Sequence, residues 1–159
     1  MQQGKFTDAT TLAASIKDRV AQKLVEWALL RNADATAGFE RYAAFVHANT
    51  EWPSIPLLRK RAEARLWNER RDPATVRGFI GARPAGAPGR LALARVLLRE
   101  GDREGATREV RTVWRTAEMS AELEASVVEA FPDQLTTADH TARMDRRIGA
   151  KDFGAAMRA

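Results

Sequence analysis

Apolar residues along this chain recur every three or four positions, and no stretch alternates apolar with polar residues between turn signals for the length of a strand. Leu24, Trp27 and Leu30 mark one such stripe, Val110, Val113 and Trp114 another. The period predicts eight helices, over residues 7–16, 19–32, 36–48, 55–69, 73–80, 89–100, 103–116 and 120–131, followed by a ninth over 137–148. Punctuation supports those limits. Asp72 precedes Pro73 as a cap before a first-turn proline, Gly101-Asp102 closes one helix and opens the next, and Ser120 stands ahead of an acidic turn at Glu122 and Glu124. Thr136 is followed three residues on by Asp139, a capping-box spacing. Alanine, leucine, arginine and glutamate dominate and tyrosine occurs once, so the expected class is all-α.

The one stretch dense in glycine and proline runs from Gly81 to Gly89. It reads as a loop, over 81–88, between sub-bundles 1–80 and 89–159 of a single segment 1–159. Beyond it, the run from Leu91 through Gly101-Asp102 places Ala94, Leu97, Ala106, Val110 and Val113 where tetratricopeptide repeats set small and large packing residues. Small Ala94 and Ala106 would let two antiparallel helices approach across the Gly101 turn. Echoes at Gly4-Lys5-Phe6 and Lys151-Asp152-Phe153 suggest second helices of hairpins starting at both ends, as in an array cut through its repeats.

The stretch 23–67 carries a distinctive order of residues. Lys23-Leu24-Val25-Glu26-Trp27, then Phe39, Tyr42 and Phe45, then Asn49-Thr50-Glu51-Trp52-Pro53, then Arg61-Ala62-Glu63 resembles the amino-terminal superhelical region of soluble lytic murein transglycosylases. The resemblance continues through Gly101-Asp102, Val113-Trp114-Arg115, and Asp139-His140 with Arg143-Met144-Asp145. It departs from the family pattern at Thr50, where a proline often follows the asparagine. What it implies is a right-handed α-superhelix of stacked antiparallel hairpins, tetratricopeptide-like, within a periplasmic enzyme of peptidoglycan turnover. The implied parent cuts the β-1,4 bond between N-acetylmuramic acid and N-acetylglucosamine to a 1,6-anhydro product, without a cofactor. The family's catalytic Glu-Ser pair and its Gly-Leu-Met-Gln-type turn do not occur in the 159 residues. The chain is therefore expected to be a non-catalytic scaffold whose partner is the catalytic domain of the same parent, with the export signal removed.

Charge narrows the partners. Twenty-six basic residues against twenty-one acidic ones give a formal charge of +5, which favours acidic partners. Arg59, Lys60, Arg61 and Arg65, with Arg70 and Arg71, form one basic cluster, and Arg143, Arg146, Arg147 and Lys151 another. The plainest reading is a solvated helix face with i,i+4 pairs such as Arg65 with Glu69. The functional one makes Arg59, Lys60, Arg61, Arg65 and Trp52 contacts for peptidoglycan or a partner. No nucleic-acid module or stacking platform accompanies the charge, so nucleic acid is not expected. No window approaches a membrane span.

Residues that could do chemistry favour packing. Trp27 and Trp114 lie on apolar stripes, and Trp52 before Pro53 is expected to fold back over a helix pair. His47 and His140 are the two histidines, and without cysteine they make no convincing zinc site; His140 shares a stripe with Met144 and Ile148. Glycosidic cleavage needs a partly buried carboxyl, commonly with a second carboxylate. Glu26, Glu63 and Glu129 approach apolar faces, but Glu63 within Arg-Ala-Glu reads as a buried ion-pair or capping partner. A second reading is a tetratricopeptide-like adaptor that binds acidic peptides in a groove lined by Arg95, Arg99 and Arg108. A third, a basic nucleic-acid binder, would lose affinity steeply with salt.

Overall fold

In the computed structural model, which describes residues 2–32, 36–81 and 83–158 (2–6 by their backbone alone), every regular element is helical. Ten helices follow one another: α1 Gln2–Ala14, α2 Arg19–Arg31, α3 Phe39–Ala48, α4 Ile55–Asn68, α5 Pro73–Ile80, α6 Ala87–Arg99, α7 Arg103–Thr116, α8 Ala121–Ala130, α9 Thr137–Gly149 and α10 Phe153–Ala156. The all-α expectation holds. The expected caps form: Asp72 accepts from the Thr75 amide, Ser120 from Leu123, and Thr136 with Asp139 makes a full capping box. α3 begins later than the residue pattern suggests, because its cap is Gly38, which has no side chain to offer. The carboxylate of Glu69 supplies the acceptor instead, 2.9 Å from the Phe39 amide.

The chain forms two compact units, Met1–Glu69 and Arg70–Ala159. The division falls at Glu69/Arg70, ahead of the Gly/Pro stretch expected to separate 1–80 from 89–159. α5 packs against α6 across that stretch, so the loop lies within the second unit. In the first unit α1 packs on α2, α2 on α4 and α3 on α4, around Leu30, Phe39, Tyr42, Phe45, Leu58, Ala62, Leu66 and Trp67. The predicted stripe on α2 frays toward its start: Leu30 is fully buried, whereas Leu24 is 52% exposed.

In the second unit α6 packs on α5 and α7, α7 on α9, and α9 on α10. Ala94 and Ala106 are both fully buried, as close helix approach across the Gly101 turn requires. That turn is a Schellman motif. The Gly101 amide donates to the Leu98 carbonyl and the Asp102 amide to that of Leu97, with Gly101 at φ 87°. The same joint recurs between α9 and α10. Lys151 donates to Ile148, Asp152 to Arg147, and Lys151 takes φ 60°. Each joint ends in a capping aspartate, Asp102 on the Gly105 amide at 2.8 Å and Asp152 on the Ala155 amide at 3.0 Å.

Candidate functional site

Trp52 lies in the turn between α3 and α4, half-buried, and packs edge-on against Trp27 and Phe45, with ring centroids 6.2 and 5.9 Å away. Trp27 donates its indole N–H to the Pro53 carbonyl at 2.7 Å, which ties α2 to that turn. Lys23 Nζ lies 5.5 Å from the Trp52 ring centre, and the Arg31 guanidinium carbon 4.2 Å from that of Trp27. Both rings are thus engaged by protein cations. Nearby, Glu26 accepts a two-pronged bond from Arg41 at 2.6 and 2.7 Å, and Arg41 also reaches Thr10 Oγ1 at 3.1 Å, so one guanidinium joins α1, α2 and α3. The bond to Glu26 raises the Arg41 pKa above its ordinary value.

The basic run of α4 divides by direction. Arg61 Nη1 donates to the carbonyls of Leu30 and Asn32, at 2.5 Å each, and so closes the end of α2. Arg59 lies 3.8 Å from Glu63, whose carboxylate is fully buried. Arg65 is half-buried and Lys60 is exposed. Of the four cations proposed for contact, then, Lys60 alone stands in the exposed class, and Arg61 is spent on capping. Glu63 has the buried ion-pair role its sequence context suggested. His47 is exposed at the end of α3.

Arg143 and Arg147 of the second basic cluster are turned inward, which the solvated-face reading did not anticipate, while Arg146 and Lys151 are exposed. α9 buries Asp139, Arg143 and Arg147, a stripe of charge at i, i+4 and i+8, and leaves Met144 and Ile148 39% and 45% exposed. Arg143 donates to the carbonyls of Trp114 and Ala117 and to Glu124 Oε1, with its guanidinium 4.8 Å from the Trp114 ring centre. Glu124 also receives Arg147 at 3.5 Å and Arg158 at 3.2 Å. Asp139 accepts from Arg115 at 2.7 Å and from the Thr136 amide and hydroxyl, with Arg111 3.0 Å away. Burial pushes the Asp139 carboxyl up, but Thr136, Arg115 and Arg111 outweigh it and hold the group below its ordinary pKa. His140, on the neighbouring stripe, packs edge-on to Trp114 at 5.1 Å.

A shallow cavity of about 420 Å³ adjoins this network, walled by Trp114, Ala121, Ala125 and Val128, with Glu124, Glu129 and Arg158 also lining it. Two carboxylates there invite comparison with a glycosidase pair. Glu124, however, has both oxygens taken by guanidinium groups, which leaves Glu129 without a working partner. Among the described residues no cluster of three or more His, Asp or Glu could hold a metal ion, and no helix is long and apolar enough to cross a membrane.

Elsewhere in the second unit, Arg95 is half-buried on α6 and Arg99 is exposed one turn on. Burial, then the positive charges of Arg70 and Arg99, push the Arg95 guanidinium below its ordinary pKa. Arg108, the third residue expected beside them, is exposed on α7. Compared with known proteins, no family model, no curated protein and no solved structure matches the chain.

Proposed function

We propose that this chain is the non-catalytic scaffold of a periplasmic lytic transglycosylase, a right-handed superhelix of stacked, tetratricopeptide-like hairpins that carries a murein-cleaving domain of the same polypeptide. One observation carries the reading. The residues on which the resemblance rests are used on one another: Trp27 on Pro53, Trp52 on Phe45 and Trp27, Glu26 on Arg41, Asn49 on the Phe45 carbonyl, and Arg61 on the end of α2. Such a set is a recipe for fixing three helices. It holds no free acid, nucleophile or metal ligand aimed at a common point, which suits a part that positions chemistry done elsewhere. The recurring joint at Gly101 and Lys151 supports the stacked-hairpin arrangement.

The test uses purified peptidoglycan sacculi and mass spectrometry of the released fragments. The full polypeptide that carries these residues is expected to release 1,6-anhydromuropeptides, and the 159 residues alone none. Trp27→Ala in the full polypeptide should reduce the yield of folded protein and leave the product chemistry unchanged. Failure of the full polypeptide to yield anhydro products would sink the reading.

A further inference from the structure

α8 buries Val127 on one side and turns a different stripe, Ala121, Glu124, Ala125, Val128 and Glu129, to the cavity that Trp114 of α7 and Arg158 also line. Positions i, i+3, i+4, i+7 and i+8 make one helical face, about 12 Å long. Its apolar part is open: Val128 is 44% exposed, and Ala125 is exposed beside it. Arg158 is held in the wall by Glu124 at 3.2 Å and by the Gly154 carbonyl at 3.0 Å. Glu129, by contrast, makes no hydrogen bond or ion pair among the described residues. The surroundings carry the sign of Glu129. Between Thr116 and Arg143 stand Glu118, Glu122, Glu124, Glu129, Asp133 and Asp139 with neither lysine nor arginine, in a molecule of net charge +5. Glu124 and Asp139 face inward onto arginines, whereas Glu118, Glu122, Glu129 and Asp133 are exposed.

We propose that this face of α8 is a docking groove for a basic amphipathic helix of a partner protein, whose apolar side chains enter the cavity and whose lysine or arginine pairs with Glu129. Shape and charge both select that occupant. Alanine at 121 and 125 keeps side-chain bulk off the face, so a second helix can approach closely. Two turns of open stripe match the i, i+4 and i+7 anchors with which an amphipathic helix docks. The local negative charge draws a cationic segment and repels nucleic acid and anionic lipid, which reverses on this face the preference for acidic partners that the net charge implies. The inference is independent of the scaffold reading and concerns only this face of the second unit.

Fluorescence anisotropy of the full chain with a labelled helical peptide, leucines at i, i+4 and i+7 and lysines flanking them, tests it. Binding is expected to weaken about tenfold with Ala125→Gln or Val128→Gln, both at exposed lining positions, and about threefold at low salt with Glu129→Gln. Asp133→Asn removes the same charge from an exposed position outside the cavity and should leave affinity within about twofold. Alanines in place of the peptide's leucines keep its helix and its charge, and should abolish binding, which separates seating in the groove from attraction alone. Circular dichroism should show native helix content in both glutamine variants of the groove, so that the loss is one of recognition and not of fold. Undiminished binding to both of those variants, equal binding of the alanine peptide, equal weakening by Asp133→Asn, or self-association of the chain that Ala125→Gln abolishes would each overturn the proposal.

Discussion

Glu124 shows what a single residue does here. Its carboxylate is buried against Arg143 and Arg147, themselves almost wholly buried, and Arg158 closes on it from a more exposed position. Removing the negative charge leaves Arg143 in a low-dielectric setting with no counter-ion and Arg147 with Asp152 alone, 3.6 Å away. Glu124→Gln is therefore expected to cost about 3–5 kcal/mol, read as a fall in the urea midpoint at constant slope. The network need not add net stability relative to an apolar core. Glu124→Leu combined with Arg143→Leu should accordingly lose less than the two single changes summed. None of this was legible from apolar periodicity. The buried stripe of α9 has the helical period that sequence reading looks for, but it is written in Asp139, Arg143 and Arg147. The reading therefore settled on His140, Met144 and Ile148, one position round the helix, where the last two lie at the rim. A search for acidic and basic residues at i, i+4 and i+8, matched to a glutamate on the preceding helix, could have found it.

At the level of the element, the two Schellman joints form a natural comparison, because the same hydrogen bonds close both while different residues sit in the left-handed position. Glycine bears φ 87° at 101 without steric penalty, and lysine at 151 bears φ 60° with one. Lys151→Gly is expected to stabilise by about 0.5–1 kcal/mol once the looser unfolded chain is set against the relieved strain, and Gly101→Ala to destabilise by about 1 kcal/mol. Chemical-denaturation midpoints of the two variants check the opposite signs. Caps and turns were the most legible part of the fold, since Asp72, Asp102, Ser120 and Thr136 act through bonds to their own next turn. The start of α3 was misplaced for the complementary reason: its acceptor, Glu69, arrives from thirty residues away.

Across the whole molecule, four carboxyls shift the same way. Asp72 is lowered by the Thr75 hydroxyl and amide, Glu100 by Arg77, Glu122 by the Ser120 hydroxyl, and Asp139 by Thr136, Arg115 and Arg111 against the opposing effect of burial. With folded values below the unfolded ones of about 4, the unfolded chain binds more protons in acid, and stability rises with pH there. The contribution is complete above about pH 5 and is lost as pH falls through the folded values. A melting temperature that stays level from neutral pH to about 5 and drops below about 4 is the expected profile by circular dichroism. Asp139→Asn should lower the plateau and shallow the drop. Fold class was readable at this scale from composition and period together, whereas the division at Glu69/Arg70 was not, because no glycine or proline marks it.

The twin joints also bear on how such a chain could change length. Gly101 and Lys151 stand fifty residues apart, and the aspartates that follow them share nearly the same backbone, φ and ψ of −79° and 76° at Asp102 against −93° and 72° at Asp152. A tandem duplication of residues 102–151 would join Lys151 to Asp102 through a turn the protein already makes. Heritable growth by the three-helix unit α7 to α9 would need no new loop, only a copying error that begins and ends at the same point in the joint.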